Sequence, residues 1–313
     1  MRKMIAALAV LSVSSICAAE ELRFGDVNYF LKQGQYNLTV DANVTYYRES
    51  TTSLTTKETN AYVLETRVGY AHTDQLNFYV GMDAAFDARV TDRKVTANSA
   101  YYQSGFSNPI LAANYRLLNQ NSSLFNLDFG AVAKVKTQDS RLGSATGNKT
   151  EDGNFANPRS SVELNARIGK KWDEANEWQL AGGVIYNNSG EFTALSSSAA
   201  ADTDVTLDTS MDIFVRATYQ YRPVDEFMMA LSAQATSIGE VTGEYGASGL
   251  TQNAHMDMDF LYRAKYLILD NLTANFHYGM SRNENYGQDI AGANFDVKQR
   301  RENYYGFGID YLF

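Results

Sequence analysis

From Gln35 onward the chain falls into segments in which every second residue is apolar. That period of two belongs to a strand with one apolar and one polar face, not to a helix. The last segment shows it most clearly: Tyr305, Phe307, Ile309, Tyr311 and Phe313 share one face, while Tyr304, Gly306, Gly308 and Asp310 share the other. Eleven earlier segments repeat the pattern, from Tyr36 to Tyr46 through Met211 to Tyr221 and Met256 to Tyr266. The connections between them alternate in length. Short ones lie at 72–75, 119–123, 173–177, 223–226 and 270–271, and long ones at 50–58, 91–104, 138–157, 193–204, 241–251 and 283–297. Strict interleaving of short and long connections implies an even number of strands with both chain ends on the short-turn side.

A soluble antiparallel sandwich has the same alternation with its apolar face turned inward. Segments of roughly 9 to 11 residues, the length a tilted strand needs to cross the hydrocarbon, weigh against it, as does the turn-and-loop rhythm. In lipid an unpaired backbone amide costs several kcal/mol, so a spanning sheet must close on itself. The pattern therefore predicts an all-β, antiparallel transmembrane β-barrel over residues 35–313, with twelve strands and periplasmic termini. Ten or fourteen strands remain open, because the connection at 138–157 is long enough to hide extensions. Trp172 and Trp178 flank one short turn, and Tyr70, Tyr115, Tyr221 and Tyr266 stand near others; together they form the expected periplasmic aromatic girdle. Tyr311 and the terminal Phe313 are the expected assembly signal for the barrel-assembly machinery.

Composition agrees once the two faces are separated. The 313 residues include 21 Tyr and 16 Phe but only 3 Pro and 1 Cys, which excludes collagen, disulfide scaffolds and disordered chains. The only long apolar run is N-terminal. Arg2 and Lys3, the apolar stretch Met4 to Val13 and the small residues up to Ala19 read as a secretory signal peptide, residues 1–19. Cys17 lacks the small residue directly before it that lipid attachment wants. Cleavage after Ala19 leaves no Cys, and 25 basic residues against 36 acidic ones, an acidic exported chain ill suited to nucleic acid. The expected location is the outer membrane of a Gram-negative bacterium, with outer-membrane lipid and a small solute as partners.

If the apolar faces meet lipid, the others line a lumen. Arg67, Arg116, Arg167, Lys171, Arg216, Arg222, Arg263 and Lys265 all lie near the short turns, and Asp83, Glu163, Asp212, Asp257 and Asp259 lie farther from them. This predicts a lumen basic below and acidic above. Two consequences stand side by side: a graded field that selects small charged or polar solutes, or opposite charges pairing across a filled interior. Ile110, Val132, Ile185, Phe214 and Leu261 also face inward on five different segments, predicting an apolar patch in mid-lumen. Ordinary packing, a hydrophobic substrate or a plug would each account for it. Residues 20–34, a periplasmic segment, supply the candidate plug through Phe24, Val27, Tyr29, Phe30 and Leu31.

The stretch Gly105-Phe106-Ser107-Asn108-Pro109-Ile110-Leu111-Ala112-Ala113-Asn114-Tyr115-Arg116-Leu117-Leu118, with the hairpin back through Leu124 to Lys136, resembles the outer-membrane transporters named for the meta-pathway of phenol degradation. Glu177-Trp178-Gln179-Leu180 and the run to Gly190 resemble a later strand of that family. The resemblance covers about a third of the chain and implies passage of hydrophobic or aromatic small molecules.

Enzymatic readings have little to rest on. His277 and Ser281 lack the spacing of an outer-membrane phospholipase site, and His255 stands too far along its strand from His277 for a joint site. No catalytic residue, metal site or cofactor is expected. The sequence thus predicts a passive channel for small solutes, against the alternatives of a non-conducting surface-interaction barrel or an outer-membrane hydrolase.

Overall fold

A computed structural model describes residues 22–51, 56–93, 98–142, 153–154, 157–194 and 203–313, so the expected signal peptide lies outside the described residues. Along the chain run β1 (Tyr36–Thr51), β2 (Thr56–Thr73), β3 (Leu76–Arg93), β4 (Asn98–Phe106), β5 (Ile110–Leu118) and β6 (Asn126–Lys134). The short β7 (Ser140–Leu142) and β8 (Gly153–Asn154) precede β9 (Ser161–Lys171), β10 (Asn176–Asn187), β11 (Gly190–Ala194) and β12 (Thr203–Leu207). There follow β13 (Ser210–Val224), β14 (Phe227–Ile238), β15 (Val241–Tyr245), β16 (Ser248–Gln252), β17 (His255–Leu269), β18 (Leu272–Asn283), β19 (Tyr286–Ile290) and β20 (Ala293–Leu312).

Twelve of the strand positions form a closed antiparallel wall. Neighbouring strands pair in sequence order from β1 to β20, with β4 and β5 sharing one position, and β20 returns to pair with β1. At the seam Tyr36 and Phe313 exchange both backbone bonds, 2.7 and 2.9 Å, and their rings stack 5.8 Å apart. The fourth wall strand is broken at Ser107 to Pro109. Pro109 has no N–H to give the ladder, and Gly105 turns the chain at φ +110°.

The wall is inside out relative to a soluble protein. On β13, Met211, Ile213, Val215, Tyr219 and Tyr221 are exposed, and Asp212, Phe214, Thr218, Gln220 and Arg222 are buried. Phe307 on β20 is 66% exposed. A continuous apolar exterior of this kind is stable only against lipid. Inside, glycines act as sockets for neighbouring side chains. A methyl group at Gly306 would meet Asn43 Oδ1 and stand 2.8 Å from His277 Nε2; one at Gly279 would lie on the Tyr304 ring.

Five of the expected long loops instead continue as β-ribbons: β1 with β2 and β3 with β4 pair out to Ser50 opposite Thr56 and Arg93 opposite Asn98, and the other three are built from separate short strands. β11 with β12, β15 with β16, and β19 with the start of β20 extend the wall outward and pair laterally through β12 with β15 and β16 with β19. Their alternating residues bury Val205, Val241, Leu250, Tyr286 and Val297, enough apolar surface to order the rim above the membrane. Ala291 and Gly292 make the last ribbon's two-residue turn at φ 56° and 78°, as a type I′ hairpin requires.

Gly306→Val is expected to lower barrel stability by about 1–3 kcal/mol through overpacking, whereas the lipid-facing Phe307→Leu leaves it nearly unchanged. Heat-modifiable gel migration measures both; equal unfolding temperatures for the two variants would contradict the socket assignment.

Candidate functional site

Residues 22–35 run from inside the short-turn end of the barrel to the start of β1, and are held there by polar contacts. Arg23 to Tyr29 forms a tight double turn: Asp26 N–H donates to Arg23 O (3.0 Å), and Tyr29 N–H to Asp26 O (3.1 Å). Gly25 sits at φ +96°, and a side chain there would press on the fully buried Met228, 2.8 Å from its Cε. Glycine is therefore required both by the backbone and by the approach to the wall.

Asp26 is the electrostatic centre of the contact. Its side chain is 1% exposed and forms ion pairs with Lys171 Nζ (3.1 Å) and Arg222 Nη2 (2.5 Å). Glu177 on β10 accepts the N–H groups of Val27 (2.8 Å) and Asn28 (2.7 Å), satisfying backbone that no strand pairs. Asn28 donates to Trp178 O (2.9 Å) and accepts from Gln179 (3.1 Å). Arg116 forks onto Asp128 (2.7 and 2.9 Å), donates to Asn28 O (2.8 Å), and lies 4.6 Å over the Phe30 ring. Leu31 is buried, and Phe24 meets Tyr29 edge-on at 5.7 Å. Burial raises the Tyr29 phenol above its ordinary value, and the phenol donates to Gln35 Oε1 (3.0 Å).

The expected division into a basic lower and acidic upper lumen needs correction. The low cations Arg116, Lys171, Arg222 and Lys265 meet the low carboxylates Asp26, Asp128 and Asp310, the last of these 3.7 Å from Lys265. Arg67 pairs with Asp83 at 2.6 Å, so these two, expected at different heights, stand together across the β2–β3 register. Arg167 donates to Asn114 (2.6 Å). Higher up, Asp212 accepts from Asn187 and Gly239 N–H, Asp257 lies 3.4 Å from His255, and Glu163 accepts from Asn165.

Most of the five inward apolar residues have polar register partners. Ile185 pairs in register with Glu163 and Asp212, Val132 with Glu163, and Ile110 with Lys134. Phe214 lies over Gly183. Leu261 borders the open lumen, which holds two adjoining cavities that share Leu261, Arg263 and Tyr304. The larger, 440 Å³, is bordered by Arg216, Gln179, Gln220, Gln234 and Asp259, with Val27 of the N-terminal segment contributing to its lining. The smaller, 310 Å³, carries Asp41, Glu65, Asp83 and Glu302.

Trp172 and Trp178 lie 6.4 Å apart; Tyr115, Tyr221 and Tyr266 are exposed, and Tyr70 packs on Tyr36 at 4.7 Å. The Tyr311 and Phe313 rings lie tilted to one another at 5.4 Å beside the seam.

Sequence reasoning picked out the segment's apolar residues and missed Asp26, Asn28 and Glu177, which make most of its polar contacts. The signal was present: Glu177 and Asp128 occupy inward positions near short turns, where cations were in excess, and Asp26 is the lone carboxylate in an otherwise uncharged run from Phe24 to Leu31.

Asp26→Asn removes the charge that Lys171 and Arg222 share, a loss of about 3–5 kcal/mol for a broken buried pair. Hydrogen exchange at the Val27 and Asn28 amides should accelerate at least roughly tenfold while the wall amides stay protected. Unchanged exchange would remove Asp26 as the anchor.

The sequence matches no family model and no curated relative. Among solved structures it is similar to an outer-membrane channel from Pseudomonas putida F1, at 15% identity and a TM-score of 0.54, over 94% of this chain and 100% of that one. Weaker similarities include a FadL homologue of Pseudomonas aeruginosa (8% identity, 90% and 91% of the two chains, TM-score 0.42) and the toluene transporter TodX of P. putida (10%, 91% and 91%, 0.42). At these identities the likeness is one of fold. With the closed wall, the aromatic rim and the apolar exterior, the architecture is that of a Gram-negative outer-membrane β-barrel.

Proposed function

We propose that this protein is a passive outer-membrane channel for small solutes, with residues 22–35 as a plug in its periplasmic mouth. The observation that carries the reading is the manner of attachment. The segment is held chiefly by ion pairs and hydrogen bonds to Lys171, Arg222, Glu177 and Arg116, not by a sealed apolar interface. A purely structural filling would be favoured by apolar residues of similar volume; a charged latch, whose partners regain hydration on release, suits a closure that opens. Cavities totalling several hundred Å³, the larger of them bordered by Val27, give the route a preformed inner space. The resemblance to the phenol meta-pathway transporters supports a channel role, and the polar lining of the larger cavity favours polar solutes over aromatic hydrocarbons.

Planar-bilayer recording tests this. The mature chain should conduct weakly, and deletion of Phe24 to Leu31 should raise the steady conductance several-fold; Asp26→Asn should fall between them. A correctly folded deletion variant that passes no current would overturn the channel reading in favour of a non-conducting barrel.

A further inference from the structure

We infer that the 440 Å³ lumen cavity is a binding site for the carboxylate of a small hydroxylated solute, with Arg216 and Arg263 as its anion-binding pair. The inference deepens the channel reading, and rests on it for the solute's route but not for the binding itself.

Of the eight inner-wall cations singled out above, Arg67, Arg116, Lys171, Arg222 and Lys265 each have a carboxylate within 4.0 Å, and Arg167 donates to Asn114. Arg216 and Arg263 are different: neither has a hydrogen bond or an ion pair among the described residues. Arg263 Nε is in addition buried with no acceptor. A guanidinium N–H buried without an acceptor is unfavourable, and the group that best satisfies the planar fork of an arginine is a carboxylate.

Placement supports the same ligand. Arg216 stands on β13 and Arg263 on β17, separated by β14. The inward residues of β14 between them are Ala230, in register with Arg263, then Ser232, and then Gln234, in register with Arg216; the first two are small. The space this leaves is part of the cavity. Around it lie the amides of Gln179, Gln220 and Gln234, whose N–H groups donate to Asn28, to Asp26 and Glu177, and to Thr236, and the Thr218 and Ser232 hydroxyls, hydrogen-bonded to each other at 2.8 Å. Such groups both donate and accept, which suits hydroxyls and not a hydrocarbon. Asp259 is the one carboxylate on the cavity, and the Lys265 charge there is engaged by Asp310. Arg216 and Arg263 thus face Asp259 in this cavity, and Arg263 also borders the adjoining one. The adjoining chamber, with Asp41, Glu65, Asp83 and Glu302, repels an anion and confines it to the first. The volume lies at the lower end of the roughly 300–1,000 Å³ of small-molecule sites.

The test is calorimetric titration of the mature barrel, folded in detergent micelles, with gluconate and with its uncharged counterpart sorbitol. Gluconate is expected to bind at least about tenfold more tightly than sorbitol. Arg216→Gln and Arg263→Gln should each weaken gluconate binding by about tenfold or more and leave sorbitol unaffected, while Arg216→Lys recovers only part of the loss because it keeps the charge without the fork. Heat-modifiable migration establishes that each variant is folded. No gluconate binding, equal affinity for the two polyols, or wild-type gluconate affinity in a folded glutamine variant would each overturn the site. Because the titration needs no ion flow, loss of the site with an intact conductance, or conductance loss with intact binding, separates this inference from the channel reading.

Discussion

Everything in this molecule depends on the absence of water beside its backbone. In hydrocarbon an unpaired N–H or C=O costs several kcal/mol, so the sheet cannot have an edge, and the first strand must find the last. The pairing of β1 with β20 over most of their length, with Tyr36 and Phe313 exchanging backbone bonds at the seam, is therefore the condition on which the other pairings hold. Closure in turn dictates the inversion of the side chains. With lipid outside, the apolar residues of each strand are drawn outward, and the polar ones are gathered into a narrow interior where they must satisfy one another.

That interior obligation explains the glycines and the ion pairs together. Twelve strands leave too little room for a large side chain at every inward position, so Gly183, Gly279 and Gly306 give up their space to Phe214, Tyr304 and the pair Asn43 and His277. Charges brought into the same confined volume are paired where acids and bases share a height, as with Arg116 and Asp128 or Arg67 and Asp83. The N-terminal segment completes this arrangement. Asp26 supplies a carboxylate to both Lys171 and Arg222, and Glu177 supplies the acceptors that the segment's own backbone lacks.

The cavities are what remains after these demands are met. One cavity has Arg216 and three glutamine amides with Asp259 on its wall, the other has four carboxylates, and Arg263 borders both. The division is transverse, running across the barrel between groups of strands, and not the vertical gradient that counting residues from the turns suggests. Arg67 and Asp83 meet because they lie two residues apart in register across one hairpin, Arg67 opposite Gly81 and Glu65 opposite Asp83.

The alternation of Tyr36 to Tyr46, Met211 to Tyr221 and Tyr305 to Phe313 determined by itself the strand period, the face that meets lipid, the even strand count and the side on which the chain ends lie. Local pattern suffices for these because lipid imposes one uniform rule on every strand. The outward ribbons at Thr203–Leu207 and Ser248–Gln252 were less legible, since beyond the membrane that rule lapses and lateral pairing decides. The site depended on tertiary structure almost entirely. That Asp26 meets Lys171 and Arg222, that Glu177 caps the Val27 and Asn28 amides, and that Arg216 and Arg263 share a cavity are long-range facts. They follow from which strands become neighbours on closure and from the shear between them, quantities that no single segment of the sequence contains.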